Sequence, residues 1–414
     1  MLLAEDMTDD LDPEVDLGRP CRLCHNRGMV EVFDLGVQAV GSYFPASIYE
    51  YVPTAPLRLM RCPTCSLVQL SDGCDHEGIY RSGNYGYRSG QNPQMAEHLL
   101  AKAEKLTRAA RLAPGDIVCD IGSNDGTFIG GFSQDYGRVG FDPTSDQFAE
   151  FYTPEIARVS ELFSATAYLA RYGHAKLITS LSMLYDLEDP VAFAQQVADC
   201  LTDDGIWHLE MAYLPSMLRA NSYDTICHEH LTYFTLQTVR AILEQVGMHM
   251  VDVEFNDVNG GSFAVTARKD RPSWHTTSPD TQNQRSAEEA SPQHLLAFRL
   301  RALHHRAELI GLIHELHVQG ARVGALGAST KGNVLLQFCD FGPDDIEAIG
   351  EINPQKIGRV TPGSNIPIVS EAEVLENCTH LLVLPWHFRA SFENLHARYP
   401  DKRFIYPLPA IEVV

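Results

Sequence analysis

Positive charge is scarce in this chain: 32 Lys and Arg stand against 54 Asp and Glu, for a net charge of −22. Nucleic acid is bound through clustered basic side chains, so it is excluded as a bulk partner, while a small anion held by a few local donors is not. Long apolar runs are missing too. No stretch approaches the ~18 residues that cross a bilayer, and no membrane partner is expected. The start of the chain is acidic, with Glu5, Asp6, Asp9, Asp10, Asp12, Glu14 and Asp16. An export signal needs a basic start and an apolar run, so residues 1–17 read as a disordered acidic tail. Three ligand fingerprints are also absent: G-x-G-x-x-G, G-x-x-x-x-G-K-[ST] and H-E-x-x-H. A nicotinamide-dependent oxidoreductase is correspondingly disfavoured.

What is present describes an ordinary globular protein, with 44% hydrophobic and 21% charged residues in a length suited to two or three domains. Ten cysteines without an export signal are expected as reduced thiols. Four of them pair as Cys21-Arg22-Leu23-Cys24 and Cys62-Pro63-Thr64-Cys65, two C-x-x-C turns 37 residues apart. Two such turns close a tetrahedral zinc site, and four protein ligands leave no place for substrate, which makes the expected zinc structural. Four unrelated cysteines or a redox pair are the alternatives. Short alternating strands between the turns complete a zinc-binding module over residues 18–78, with His25 as a surface residue.

From Asp116 to about Arg268, strand and helix patterns alternate as in a mostly parallel sheet. An amphipathic helix over Met95–Ala113 leads into it, giving a domain over 79–269. Its first strand ends in Asp120-Ile121-Gly122-Ser123-Asn124-Asp125-Gly126, and a second strand ends at Asp142-Pro143. A tight glycine turn followed by an acid that can accept ribose hydroxyls suits an adenosine-containing cofactor. D-x-G-x-x-x-G with that acid resembles class I S-adenosylmethionine-dependent methyltransferases; a plain strand–turn–helix is the alternative. Asn221 to His230 ends in Cys227-His228-Glu229-His230, which fits a general base flanked by a carboxylate, a capped loop, or an H-x-H metal pair without a third ligand. Residues 270–293 read as a linker. A long helix over Leu295–Val318 then opens a second α/β unit, 294–414, with the turn Gly327-Ala328-Ser329-Thr330-Lys331-Gly332-Asn333.

Taken in order, the cysteine quartet, D-I-G-S-N-D-G, S-Y-D-T-I-C-H-E-H-L, N-G-G-S at Asn259–Ser262, G-A-S-T-K-G-N, T-P-G-S-N-I-P-I at Thr361–Ile368 and L-P-W-H-F at Leu384–Phe388 resemble the sugar C-methyltransferase family over residues 20–410. The resemblance implies an α/β fold in three parts. These are a zinc-binding module, a class I Rossmann-like methyltransferase core and a C-terminal Rossmann-like domain. A nucleotide-linked keto-deoxysugar would lie between the last two. It implies His230 as the base that removes the proton alpha to the ketone, and Glu229 orienting it or touching the sugar. Tyr85, Tyr87 or His228 would donate to the enolate. Asp120, Gly122, Ser123, Asn124, Asp142 and Pro143 would hold the cofactor. Ser329, Thr330, Lys331, Asn333 and, more weakly, Arg359 would contact diphosphate or sugar, with Trp386 and His387 packing on the sugar or filling the core. A bacterial cytoplasmic monomer or small homo-oligomer follows from the same resemblance. The chain departs from the family pattern at Cys227, where many members have Tyr, at Asn259, where His is frequent, and in Met183–Asp189, where Asp186 stands in a segment that often carries His. Methylation of oxygen or nitrogen on another small molecule, and a non-catalytic cofactor- and zinc-binding protein, are the competing readings.

Overall fold

The computed structural model describes residues 15–16, 19–73, 87–270, 285–286 and 289–414. Among these, three sheets account for the strands. The first is antiparallel: β1 (Val15–Asp16), β2 (Met29–Ala39), β3 (Thr54–Arg61) and β4 (Val68–Leu70) lie in sequence order. The expected tail therefore ends in order, with Val15 and Asp16 paired to Val30 and Met29. A fifth strand, added beyond β4, comes from far along the chain and is named below.

The central sheet has the order β11-β12-β9-β8-β5-β6-β7. Its strands are β5 (Ile117–Ile121), β6 (Gly137–Phe141), β7 (Ile156–Val159), β8 (Ala175–Leu181), β9 (Leu201–Ala212), β11 (His249–Asn256) and β12 (Ser262–Arg268). The strands β7-β6-β5-β8-β9 run parallel, and β12 is antiparallel to both β9 and β11. This is the class I methyltransferase order. Both faces of β5 are covered, which is why its sequence is a continuous apolar run up to Asp120 rather than an alternation. On one face lies α1 (Pro93–Ala109), capped by Asn92, whose side chain accepts from Gln94 N at 2.9 Å. Its Leu99, Ala103 and Leu106, at helical spacing, pack on Val118, Leu177 and Ile206. The single turn α2 (Thr127–Gly130) packs in the same core through Phe128 and Ile129; on the other face lie α3 (Ala165–Tyr172), α4 (Pro190–Cys200) and α6 (Leu236–Gln245), while α5 (Leu214–Arg219) joins the core shared with the C-terminal unit. Phe193 of α4 and Val239 of α6 share a core with Cys119 and Trp207, and that core continues into Cys21, Leu23, Cys62 and Leu67 of the cysteine module.

The fifth strand of the first sheet is β10 (Thr232–Tyr233), which pairs antiparallel with Val68–Gln69 of β4. The module is thus completed by residues that directly follow His230. After the central sheet, α7 (Pro292–Val318) leads to a third sheet in the order β15-β14-β13-β16-β17-β18. Its strands are β13 (Val323–Leu326), β14 (Ile349–Glu351), β15 (Ile368–Ser370), β16 (His380–Val383), β17 (Arg403–Tyr406) and β18 (Glu412–Val413), with only β18 antiparallel. Helices α8 (Thr330–Phe338), α9 (Glu371–Asn377) and α10 (Arg389–Arg398) complete this Rossmann-like unit.

One apolar core joins the cysteine module to the C-terminal unit. Phe33 of β2 meets Phe298 of α7 and Phe338 of α8 edge-on, with ring centroids 5.9 and 5.7 Å apart. Each such buried ring contributes roughly 1.5–3 kcal/mol. Around it the backbone of residues 39–45 is satisfied by C-terminal side chains. Gln337 exchanges two hydrogen bonds with Ala39, at 2.7 and 3.1 Å, and the Asn333 amide donates to the Gly41 carbonyl at 2.6 Å. The Arg359 guanidinium donates to the Phe44 carbonyl at 2.8 Å.

Asn333 was expected to touch substrate; the structure gives its fully buried amide a partner in the cysteine module instead. Replacing Asn333 with Ala leaves the Gly41 carbonyl buried without a donor and should cost about 1–3 kcal/mol. Thermal unfolding and steady-state kinetics check this: a lower melting temperature with unchanged substrate KM is expected, whereas a raised KM at unchanged stability would mark Asn333 as a substrate contact.

Candidate active site

A cavity of about 620 Å³ opens at the carboxyl ends of β5, β6 and β8, where open α/β sheets hold their ligands. The turn after β5 forms its floor. Gly122 has φ +83°, and a Cβ there would meet Met183 Cγ at 3.1 Å, so the turn and the opposite wall can approach only around glycine. Asn124, also at positive φ, donates its backbone N–H to Asp142 Oδ2 at 2.8 Å. The other Asp142 oxygen accepts from the Thr144 N–H at 2.7 Å. The acid at the end of β6 is thereby fixed beside the turn, with lone pairs left for a diol. Ser123 and the Asn124 carbonyl both meet the Tyr152 hydroxyl at 2.8 Å, a buttress that no sequence pattern announced.

Asp120, Gly122, Ser123, Asn124, Asp142 and Pro143 all line this cavity, and so does Tyr87. The Tyr87 carbonyl accepts from the Asn124 amide at 3.1 Å, which ties the chain before α1 to the turn. Tyr85 lies outside the described residues. Leu99 and Met95 of α1 form the apolar side, and a buried cluster holds α1 in place: Glu210 of β9 accepts from His98 and Lys102, both at 2.7 Å. Burial opposes the charge on Glu210, yet the two cations keep its carboxyl down at about 2.

Six carboxylates line the cavity: Asp120, Asp142, Glu161, Asp186, Glu188 and Asp189. Burial pushes Asp120 up to about 7, against the hydrogen bond from Thr179 Oγ1 at 2.7 Å, and raises Asp142 as well. Acids held above their ordinary range gain from a cation placed among them. S-adenosylmethionine brings a sulfonium, an ammonium and a ribose diol, and the residues present fit all three.

The Cys227–His230 segment stands behind the far wall of the cavity. The His230 ring packs on Tyr185 at 4.2 Å between centroids, and Tyr185 stands in the chain between Met183 and Asp186, which do line the cavity. His230 Nδ1 lies 3.1 Å from the Thr225 carbonyl. A carbonyl accepts only, so Nδ1 carries the proton and Nε2 holds the lone pair of the neutral ring. Glu229 is 6% exposed, and neither carboxylate oxygen has a hydrogen-bond partner among the described residues; the buried Cys227 thiol lies beside it. Burial holds that thiol well above its ordinary value, so it stays protonated. His228 faces elsewhere: its Nε2 lies 3.0 Å from the Ala55 carbonyl of β3, which makes the ring a strut to the cysteine module.

The residues expected to hold substrate from the C-terminal unit divide into two groups. Ser329 caps α8 by accepting from Gly332 N at 3.0 Å, Thr330 sits beside Gly41, and Arg359 joins Asn333 in fastening the module. Lys331 and Trp386 instead reach the methyltransferase core. Trp386 Nε1 donates to Asp224 Oδ2 at 2.8 Å, and Lys331 Nζ donates to the Asn259 carbonyl at 2.8 Å. Burial lowers the Lys331 pKa although Asp224 and Cys227 lie within its electrostatic reach, and burial together with Lys331 pushes His387 well below its ordinary value. A cation and a neutral imidazole are thus placed at the seam next to the Cys227–His230 segment.

The four thiols of Cys21, Cys24, Cys62 and Cys65 lie within 4.8 Å of one another. Contact with Cys65 lowers the Cys21 thiol, while the same contact raises Cys65 and burial raises Cys24. This donor set fits a zinc ion with no open position.

Family models match the chain in three successive segments: a zinc binding domain over residues 21–80, a methyltransferase domain over 94–253 and a C-methyltransferase C-terminal domain over 257–409. The C-methyltransferase NovU of Streptomyces niveus is 27% identical over 414 residues, covering 96% of this chain and 98% of that protein. Among solved structures, the magnesium protoporphyrin IX methyltransferase of Synechocystis PCC 6803 with bound S-adenosylhomocysteine covers 47% of this chain and 95% of its own, at 18% identity and a TM-score of 0.35. The plantazolicin methyltransferase BpumL, also with S-adenosylhomocysteine, covers 47% and 91%, at 13% identity and a TM-score of 0.37.

Two predictions follow from the geometry. Because Asp120 titrates near 7 in the fold, above its unfolded value, the unliganded protein loses stability from it as pH rises through 7, and a bound cation recovers that loss. S-adenosylmethionine should bind up to about tenfold tighter at pH 8 than at pH 6. Calorimetry would show the trend flattened in Asp120→Asn and weaker for S-adenosylhomocysteine, which lacks the sulfonium charge. In addition, metal analysis should find one zinc per chain, lost when Cys62 and Cys65 become Ser; a folded native protein without zinc contradicts the site.

Proposed function

We propose that this chain, which matches a methyltransferase and a C-methyltransferase family model in successive segments, methylates a carbon of a nucleotide-linked keto-deoxysugar with S-adenosylmethionine as donor and His230 as the base. The observation that carries this reading is the placement of His230. Its protonated Nδ1 is committed to the Thr225 carbonyl and its ring packs on Tyr185, which stands between the lining residues Met183 and Asp186, so the basic Nε2 is oriented before substrate arrives. A proton alpha to a ketone is weakly acidic, and a positioned imidazole contributes typically 10²–10⁴-fold to its removal.

Removal of that proton leaves an enolate. Its charge must be met by donors in place before it forms. The Lys331 ammonium and Tyr87 are the candidate donors supported by position, the first at the domain seam and the second on the cavity lining. Glu229, buried beside the Cys227 thiol, is placed to accept a sugar hydroxyl or to steady the imidazolium once His230 has taken the proton. When bound, S-adenosylmethionine supplies an electrophilic methyl group. That methyl would pass to the enolate carbon with the cofactor thioether as leaving group, and Met95 and Leu99 on the apolar side of the cavity would limit water there. A nucleotide diphosphate is the expected handle because the C-terminal unit presents the Lys331 ammonium at the seam beside the Cys227–His230 segment.

His230→Ala should abolish turnover and leave S-adenosylhomocysteine affinity within about twofold, since the ring lies behind the cofactor wall. The same variant should lose exchange of the substrate alpha proton in deuterated water, measured by mass spectrometry on nucleotide-linked 4-keto-6-deoxysugars. Retained exchange in His230→Ala removes His230 as the base. Methylation without any exchange-competent carbon acid would favour transfer to oxygen or nitrogen.

A further inference from the structure

We propose that Arg22 is a positioning residue for methyl transfer: from inside the first cysteine turn it holds both the cofactor wall, at Glu188, and the loop that carries His230, at Leu231. Arg22 lies between two thiols of the quartet and is 4% exposed. Its Nε and a terminal nitrogen reach Glu188 Oε2 at 3.3 and 3.2 Å. Its other terminal nitrogen donates to the Leu70 carbonyl at 3.1 Å and to the Leu231 carbonyl at 3.5 Å. Its backbone N–H donates to Gln69 Oε1 at 2.8 Å. One planar group therefore touches the cysteine turn, strand β4, the residue after His230 and the wall of the cofactor cavity.

Glu188 is the end of that wall. It lines the cavity, it is followed by Asp189, whose side chain accepts from Ala192 N at 2.8 Å to cap α4, and Arg19 also bonds to it. Gly73 makes the approach possible, since a Cβ there would collide with the Glu188 carboxylate. An exposed ion pair contributes little, but here the arginine end is buried and its orientation is fixed by two carbonyls. Removing the carboxylate leaves that cation poorly compensated. Lysine cannot replace the fork, because its donors all sit on one nitrogen, whereas Arg22 uses Nε and both terminal nitrogens spread across a plane. The metal centre is then more than a staple for its own module: closing the four thiolates fixes the turn on which Arg22 sits. The Leu231 contact bears on catalysis only if His230 is the base; the Glu188 contact does not depend on that reading.

The test compares Arg22→Lys, Glu188→Ala and the double variant, with zinc content and melting temperature measured on each. Arg22→Lys should retain one zinc, bind S-adenosylhomocysteine about tenfold more weakly and lose turnover at saturating cofactor, as expected for a misplaced wall and base loop. Glu188→Ala should weaken cofactor binding about threefold. The double variant should bind cofactor no more weakly than Arg22→Lys alone, because both changes remove one contact. Zinc-loaded Arg22→Lys with normal cofactor affinity and turnover overturns the proposal. Should Arg22→Lys fail to fold, unchanged cofactor affinity in Glu188→Ala overturns it. A His230→Ala enzyme that still turns over, beside the expected cofactor shifts, would refute only the role of the base.

Discussion

The arrangement of this active site depends on two residues of strand pairing. Thr232 and Tyr233 join β4 of the cysteine module, so the segment that ends in His230 is anchored in a different sheet from the one that binds the cofactor. Leu231 continues the attachment, its carbonyl accepting from Leu70 N at 2.9 Å as well as from Arg22. His228 adds a third tie at Ala55. Without the module, Leu231, Thr232 and Tyr233 would lose the backbone partners they have in Leu70 and in β4, and buried backbone groups without partners are costly. With it, His230 is held at the cavity wall.

The two Rossmann-like units share a local plan and put it to different use. In each, the N–H of a residue in the first βα turn donates to an acid after the second strand: Asn124 to Asp142 at 2.8 Å, and Ala328 to Glu351 at 2.9 Å. Beside Asp142 the space is open and acidic. Beside Glu351 it is filled, because Lys356 bonds to the Ala328 carbonyl and lies 4.6 Å over the ring of Phe44 from the cysteine module. The first unit therefore keeps a ligand cavity, while the second uses the equivalent crevice to hold the module. That division explains why Asn333 and Arg359 face backbone carbonyls of residues 41–44.

Much of this was legible in the sequence. The cysteine spacing, the glycine turn after β5 and the acid after β6 each encode a local geometry, and local geometry can be read from a short string. The roles of Asn333, Arg359 and Trp386 could not be, since each depends on a partner more than 100 residues away. Their sequence context, a βα turn with small residues and donors, is the same whether it faces a phosphate or a carbonyl. Tyr185 and Tyr152 were missed for the same reason: neither belongs to a spaced motif, and their contacts with His230 and Ser123 appear only after folding. Arg22 was visible as a variable position of the C-x-x-C turn, where nothing in the spacing announces a buried fork.

The central claim is that methyl is delivered to carbon by a base built into the cysteine-module seam. The most direct measurement uses S-adenosylmethionine labelled with carbon-13 at the methyl group, a nucleotide-linked 4-keto-6-deoxysugar and nuclear magnetic resonance of the product. A label bonded to a ring carbon next to the ketone is the predicted result. A label found on oxygen or nitrogen, in an enzyme with one zinc and normal cofactor affinity, would contradict the account.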